Sequence, residues 1–272
     1  MTTIATTTTN AADQDLVLIE TQGAVGILRF NNPDELNTLH VPMLLAMEAA
    51  LTVLERDRDV RVIVVTGVDA RAFIAGGNIR DLNARRGLQH YEEFSAVVHR
   101  VFRRFETCTK PTIAAVNGWA LGGGMEFMLT IDLRLMAEEA KIGLPEIKLG
   151  LFPGGGGSQR LMRQIPLCQA KLLMFTGDSL DAPQALAMGL VNQVVPRASL
   201  MAETLTLAAR IADKSPVALK LLKESMLHGA DMPLPAALAF EGATIALVLD
   251  SEDAHEGCSA FLEKRKPVFT GR

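Results

Sequence analysis

The chain has 272 residues, 49 % of them apolar and 21 % charged, which suits one large folded domain, or one and a half, and excludes a chain disordered throughout. With 27 Lys plus Arg against 31 Asp plus Glu the net charge is -4, so no basic field gathers nucleic acid or an anionic membrane, and neither partner is expected. The three cysteines, Cys108, Cys168 and Cys258, form no C-x-x-C and are odd in number, which fits reduced thiols in a cytoplasmic setting.

Residues 1–14, opening "MTTIATTTTN", hold no basic residue and no long apolar run, so they read as a disordered tail rather than a signal or transit peptide. No later stretch offers the roughly 20 uninterrupted apolar residues of a membrane-spanning helix. From "GAVGILRF" at 23–30 onward, short β-branched runs alternate with longer helical patterns. Strands are expected at 61–67 ("RVIVVTG"), at 112–118 ("TIAAVNG") and over 133–144, the last broken by a polar turn. A helix is expected over 91–105, where Tyr91, Phe94, Val97, Val98, Val101, Phe102 and Phe105 fall on one stripe. Continuous apolar strands separated by amphipathic helices imply an α/β fold with mostly parallel pairing. The runs ending at Gly67 and Gly118 also form a weak repeat with a period of 51 (118 minus 67), each followed by a glycine cluster and a helix. Beyond about residue 200 strand signals stop and three helical patterns follow. The third is apolar on more than one stripe, which suits cover by a neighbouring subunit. The expected division is an α/β core over 15–200 and a helical region over 201–272.

Within "NGWALGGGMEFMLTID" at 117–132, Glu126 stands in a helix that is apolar nearly all round, where an ionised carboxylate needs compensation. The preceding Gly122–Gly124 reads either as half of an oxyanion hole or as tight packing of a strand-to-helix turn. Gly76 and Gly77 in "AFIAGGNIRDL" read as an ordinary loop or, if the two repeats stack, as the second half. Glu146 in "IGLPEIKLG" follows Pro145 among Leu144, Ile147, Leu149 and Leu151, and is either a second acid facing a dry site or an exposed residue at a strand end. Asp132, where a helix ends, is expected to bond backbone. Other chemistry has little support. "FPGGGGSQRL" at 152–161 fits neither phosphate-binding loop pattern, the five histidines never form H-E-x-x-H so no metal site is expected, and no G-x-S-x-G elbow occurs.

Taken together, "NPDELNTL", "AFIAGGNI", "KPTIAAVNGWALGGGMEF", "IGLPEIKLGLFPGGGGSQRL", "GDSLDAPQALAMGLVNQVVP" and "GCSAFLEKRKPVF" resemble the enoyl-CoA hydratase/isomerase (crotonase) family over nearly everything from 16 to 269. The resemblance implies a crotonase-like spiral of ββα units with a C-terminal helical trimerisation region, giving a homotrimer or a homohexamer. It implies an acyl-CoA thioester substrate, as in fatty-acid β-oxidation, and no separate cofactor, coenzyme A being part of the substrate. The thioester oxygen would lie between the amides of Gly77 and Gly123, with Glu126 and Glu146 as the acid/base pair. Ala75, Arg80, Lys264 and, as a weaker match, Arg71 would contact CoA. Because family hydratases resemble this chain at both acids and many isomerases only at the second, hydration of a 2-enoyl-CoA is expected, with Glu146 as acid toward C2 and Glu126 activating water. The alternatives are an isomerase, a specialised dehydratase or lyase, or a non-catalytic acyl-CoA- or RNA-binding scaffold; the retained acids and the net charge of -4 speak against the last two. Three departures stand out: Asn78 where the family usually has Asp, "LNTLH" in place of the commoner form, and an all-glycine loop from Gly154, expected to loosen the acyl pocket.

Overall fold

The computed structural model describes residues 15–272, so the expected tail over 1–14 lies outside the described residues. Strands β1 (Val17–Gln22) and β2 (Val25–Phe30) pair antiparallel across Gly23, and helix α1 (Val41–Arg56) follows. Strand β3 (Val62–Gly67) lies parallel to β2, and the chain then bends into β4 (Ala72–Ile74), which belongs to a second, smaller sheet. Helices α2 (Ile79–Ala84), α3 (Gly87–His90) and α4 (Ala96–Glu106) close that unit. The same course repeats through β5 (Thr112–Val116), β6 (Trp119–Leu121) and α5 (Gly123–Met128). It repeats again through β7 (Leu133–Ala137), β8 (Lys141–Gly143), α6 (Gly157–Gln164) and α7 (Leu167–Thr176). Strand β9 (Ser179–Asp181), α8 (Ala182–Ala187) and β10 (Gln193–Val195) complete sheets of order β1-β2-β3-β5-β7-β10 and β4-β6-β8-β9. The repeat seen in the sequence is therefore real, with β3 beside β5 and β4 beside β6, parallel in both sheets.

Strands β3 and β5 are buried along their whole length, as unbroken apolar runs covered on both faces must be. Helix α9 (Arg197–Ala212) covers the large sheet with Leu200, Thr204, Ala208 and Ala212. At the bends between sheets the buried amide of Asn117 substitutes for missing ladder partners: its Oδ1 accepts from Gly67 N at 2.9 Å and its Nδ2 donates to the carbonyls of Ala72 and Asp69. The core contains a knot of aromatic rings in which Phe127 of α5 meets Phe30, Phe73, Phe102 and Phe105 at centroid distances of 5.7, 6.2, 5.4 and 4.8 Å.

Two local expectations are corrected. The helix expected over 91–105 runs on from α3 and holds a π-helical segment at Tyr91–Ser95 before α4; its wider turn swings Tyr91 out to 57 % exposure while Phe94 and Val98 stay buried. The first strand, β1, begins ahead of Gly23; it is a half-buried edge strand whose Glu20, Thr21 and Gln22 dilute its apolar pattern.

Helices α10 (Pro216–Gly229) and α11 (Leu234–Leu249) pack on each other, and α12 (Glu252–Glu263) follows. Lys223 fastens α10 to the core, donating to Asp132 Oδ2 at 2.7 Å and to the Lys110 carbonyl at 3.3 Å. The same Asp132 oxygen accepts from Thr112 N at 2.8 Å and Thr112 Oγ1 at 2.9 Å, the backbone-bonding role read for it. Among the described residues no single helix is long and apolar enough to cross a membrane.

Candidate active site

Since β4 and β6 are parallel neighbours, the glycine turns that follow them fall at the same edge of the small sheet. In the first turn Leu39 N–H donates to Gly76 O at 2.8 Å and Asn78 N–H donates to Leu39 O at 2.9 Å. These bonds occupy the groups on both sides of Gly77 and leave its own N–H without a protein acceptor among the described residues. Gly76 adopts φ 122, which needs glycine. In the second turn Gly122, at φ 51, donates to Gly143 O at 2.8 Å and accepts from Glu126 N at 2.9 Å. Gly123 is then the first residue of α5, one of the amides a helix start leaves unpaired. A Cβ at Gly123 would lie 2.9 Å from Leu39 Cδ1 and 3.7 Å from Gly77 N, so the two turns touch. The amides of Gly77 and Gly123 are brought together, and a side chain there would separate them.

Glu126 is 4 % exposed. Its Oε1 accepts from Gly155 N at 2.8 Å and Gly157 N at 2.7 Å, and Oε2 takes no protein hydrogen bond among the described residues. Burial, the largest influence, pushes its carboxyl up to about 7; the amides of Gly157 and Gly155 and the Arg160 guanidinium oppose the rise, and the nearby Glu146 adds to it. The glycine loop closes on this acid. A Cβ at Gly155 would lie 2.8 Å from Glu126 Oε2, and one at Gly157 2.8 Å from Glu126 Cγ, so the loop is a close-fitting cradle in which a larger residue would displace the acid. Gly155 and Gly157 are the functional residues that the sequence reading missed. The signal was present in four consecutive glycines directly before a helix start.

Glu146 lies on a 3-10 turn, Pro145–Leu149, that ends in a left-handed Gly150. Both its carboxyl oxygens are buried and have no hydrogen-bond partner among the described residues, and burial raises its pKa. Of its apolar sequence neighbours only Leu144 is buried: Ile147, Leu149 and Leu151 face outward, Leu149 at 61 % exposure. The turn into α5 packs against its carboxyl, since a Cβ at Gly122 would meet Glu146 Oε1 at 3.3 Å. Glu146 thus lies against the turn that carries Gly123, and its charge helps to raise the Glu126 carboxyl on the helix that begins there.

The remaining sequence candidates are placed less uniformly. Ala75 is half-buried and leads into the first turn, donating to Leu36 O at 3.1 Å. Arg80 is exposed on α2, immediately beyond that turn. Asn78 caps α2, its Oδ1 accepting from Arg80 N and Asp81 N as an aspartate would, without the charge. In "LNTLH", His40 caps α1, its Nδ1 accepting from Met43 N at 3.3 Å. Arg71 stands at the opposite end of β4 from Gly77, paired with Asp69 at 2.8 Å and with the Pro33 carbonyl at 2.7 Å. Lys264 is the exposed left-handed residue that ends α12, on an element packed against α11; within one chain it is not part of the cluster.

Comparison with known proteins agrees with this geometry. A family model described as enoyl-CoA hydratase/isomerase matches residues 20–272. The chain is 38 % identical to a short-chain-enoyl-CoA hydratase of Clostridium acetobutylicum, over 92 % of this chain and 95 % of that protein. It is 37 % identical to a crotonyl-CoA hydratase of Syntrophomonas wolfei, over 94 % of this chain and 98 % of that one. Among solved structures, an enoyl-CoA hydratase from Bacillus anthracis superposes with a TM-score of 0.91 at 33 % identity, covering 94 % of this chain and 100 % of that chain.

Proposed function

The chain belongs to the enoyl-CoA hydratase/isomerase family, and we propose that it is a hydro-lyase adding water across the 2,3 double bond of a 2-enoyl-CoA to give a 3-hydroxyacyl-CoA. One observation carries the reading: two buried carboxyls, Glu126 on the helix that begins at Gly123 and Glu146 against the Gly122 turn, accompany a pair of adjacent amides unengaged among the described residues. Attack at C3 moves negative charge onto the thioester oxygen. Gly77 N–H and Gly123 N–H stabilise it there, and loss of one such donor costs roughly 2.7–4 kcal/mol of barrier. Two acids in one dry site do not both ionise, so the pair holds a single proton between pH values that would charge each alone. Hydrogen bonding decides where it rests. Two amides favour the carboxylate of Glu126, whereas among the described residues no other residue donates to Glu146. Glu126 Oε2 takes a proton from water as the oxygen bonds to C3, and Glu146 delivers its proton to C2. The proton left on Glu126 then returns to Glu146 and resets the pair.

No cofactor takes part, coenzyme A being carried in with the substrate. Arg80, beside the Gly77 turn, is assigned to a CoA phosphate, as are Lys264 and the weaker candidate Arg71 by their match to the family pattern, and Ala75 is assigned to the CoA-binding contacts. The exposed apolar residues of α11 and α12, among them Leu238, Ile245, Leu249, Phe261 and Leu262, support assembly into a homotrimer or a pair of trimers. A cytoplasmic role in acyl-CoA breakdown of the β-oxidation type completes the reading.

Crotonyl-CoA, the substrate in the name of the Syntrophomonas wolfei relative, is the first to test. The conjugated thioester absorbance is expected to fall, with oxygen from labelled water appearing in the product. Glu126→Gln and Glu146→Gln should each lose on the order of 10²–10⁴ in kcat. Full activity in both variants, or double-bond migration without incorporated oxygen, overturns the reading.

A further inference from the structure

The cradle of Glu126 is itself held from behind. Arg160 of α6 donates through Nε to Glu106 Oε1 at 2.9 Å and through Nη2 to Glu106 Oε2 at 3.0 Å. Its third nitrogen, Nη1, donates to the carbonyl of Gly155 at 3.2 Å. Gly155 is the residue whose N–H grips Glu126 Oε1, so one residue separates the acid from the guanidinium. Both members of the Arg160–Glu106 pair are only 16 % exposed, and Glu106, the last residue of α4, is steadied by Arg103 at 2.8 Å. The loop is wrapped around this guanidinium, with Gly156 at φ 105 and any Cβ there running into Arg160 Nη1.

We propose that Arg160, locked by Glu106, is a positioning residue for Glu126: it fixes the loop at 155–157 so that two amides clamp Oε1 and Oε2 stays aimed at water. The inference rests on the hydratase reading for its kinetic consequence. The bidentate fork on Glu106 sets the guanidinium plane, and the remaining N–H then sets the Gly155 peptide; a lysine could supply charge but not this three-point geometry. The charged groups near Glu126 are Glu146 on the 145–149 turn, Arg160 on α6, and Glu106 with Arg103 on α4. Of these, Arg160 favours the ionised form of Glu126.

The test compares full-length wild type with Arg160→Met, Arg160→Lys and Glu106→Gln, following kcat, KM and Tm with crotonyl-CoA across pH. In R160M, kcat should fall on the order of 10²-fold, as a misplaced catalytic group does, with KM little changed. Its acid limb should move to higher pH, since the positive charge that favours ionised Glu126 is gone. R160K should keep the wild-type acid limb while recovering only part of kcat. A pair that merely staples α6 to α4 would lower Tm and leave kcat and the acid limb unmoved, and that result in R160M overturns the proposal. If R160M does not fold, wild-type kcat in both R160K and E106Q overturns it instead. Should the wild type hydrate no enoyl thioester, the hydratase reading fails by itself, and a ¹³C carboxyl titration of Glu126 takes over: a higher midpoint in R160M supports the positioning, and an unchanged one overturns it.

Discussion

Glu126 is kept in a place that opposes its charge, and this leaves a signature in stability. A carboxyl whose folded pKa stands near 7, above the ordinary 4.5, binds its proton more tightly when folded. The folded state is therefore favoured below the unfolded pKa, loses that advantage as pH rises from 4.5 towards 7, and does not regain it above 7. Glutamine cannot ionise, and its Oε1 still accepts from Gly155 and Gly157. Glu126→Gln is thus expected to be more stable than wild type at pH 8, by up to about 3 kcal/mol and so with a higher unfolding temperature, with little difference at pH 4. Thermal unfolding across that range checks it, and a pH-independent gain removes the argument. At this scale the sequence was informative about Glu126, because one acid among apolar helix neighbours stands out. For Gly155 and Gly157 the glycine run was visible but its partner was not, because the contact appears only when a loop some thirty residues later folds onto that acid. For Glu146 the acid was legible and its surroundings were not, because three of its four apolar sequence neighbours face outward while the Gly122 turn, distant in sequence, packs against its carboxyl.

The catalytic helix α5 has six residues, too few to hold itself together in water. Phe127, the residue after the acid, anchors it among four other aromatic rings. Phe127→Ala should cost about 3–5 kcal/mol and release the helix. Both Tm and kcat are expected to drop together, in contrast to E126Q, where kcat alone drops at neutral pH and above. Unfolding curves with parallel assays distinguish the two, and unaltered kcat in a destabilised F127A shows that α5 is held some other way. Elements of this kind divide cleanly by legibility. Strands β3 and β5 could be read because burial on both faces writes an unbroken apolar run. The three-residue strands β9 and β10 are too short to write any period, and the π segment at Tyr91–Ser95 is an irregularity that a fixed 3.6-residue spacing cannot represent.

Across the whole molecule, the polar ties between the helices after α9 and the core include the ion pair of Lys223 with Asp132, in which the lysine is largely covered. Lys223→Met should cost about 1–3 kcal/mol, since the bond involves charged groups. It should also loosen α10 and α11, so that sedimentation finds wild type at the mass of three or six chains and the variant shifted to smaller species on dilution. A variant of unchanged mass and Tm removes Lys223 from this role. The two amide donors are borne by turns after adjacent strands β4 and β6, so their separation descends from the spacing of neighbouring strands, about 4.8 Å, rather than from any side chain. The half of the site proposed to polarise the carbonyl is in that sense a ruler engraved in the backbone, set by its glycines. The half proposed to handle protons is the opposite, two replaceable fittings mounted on separate segments. Retooling this scaffold for another thioester reaction therefore means exchanging the fittings and leaving the ruler alone.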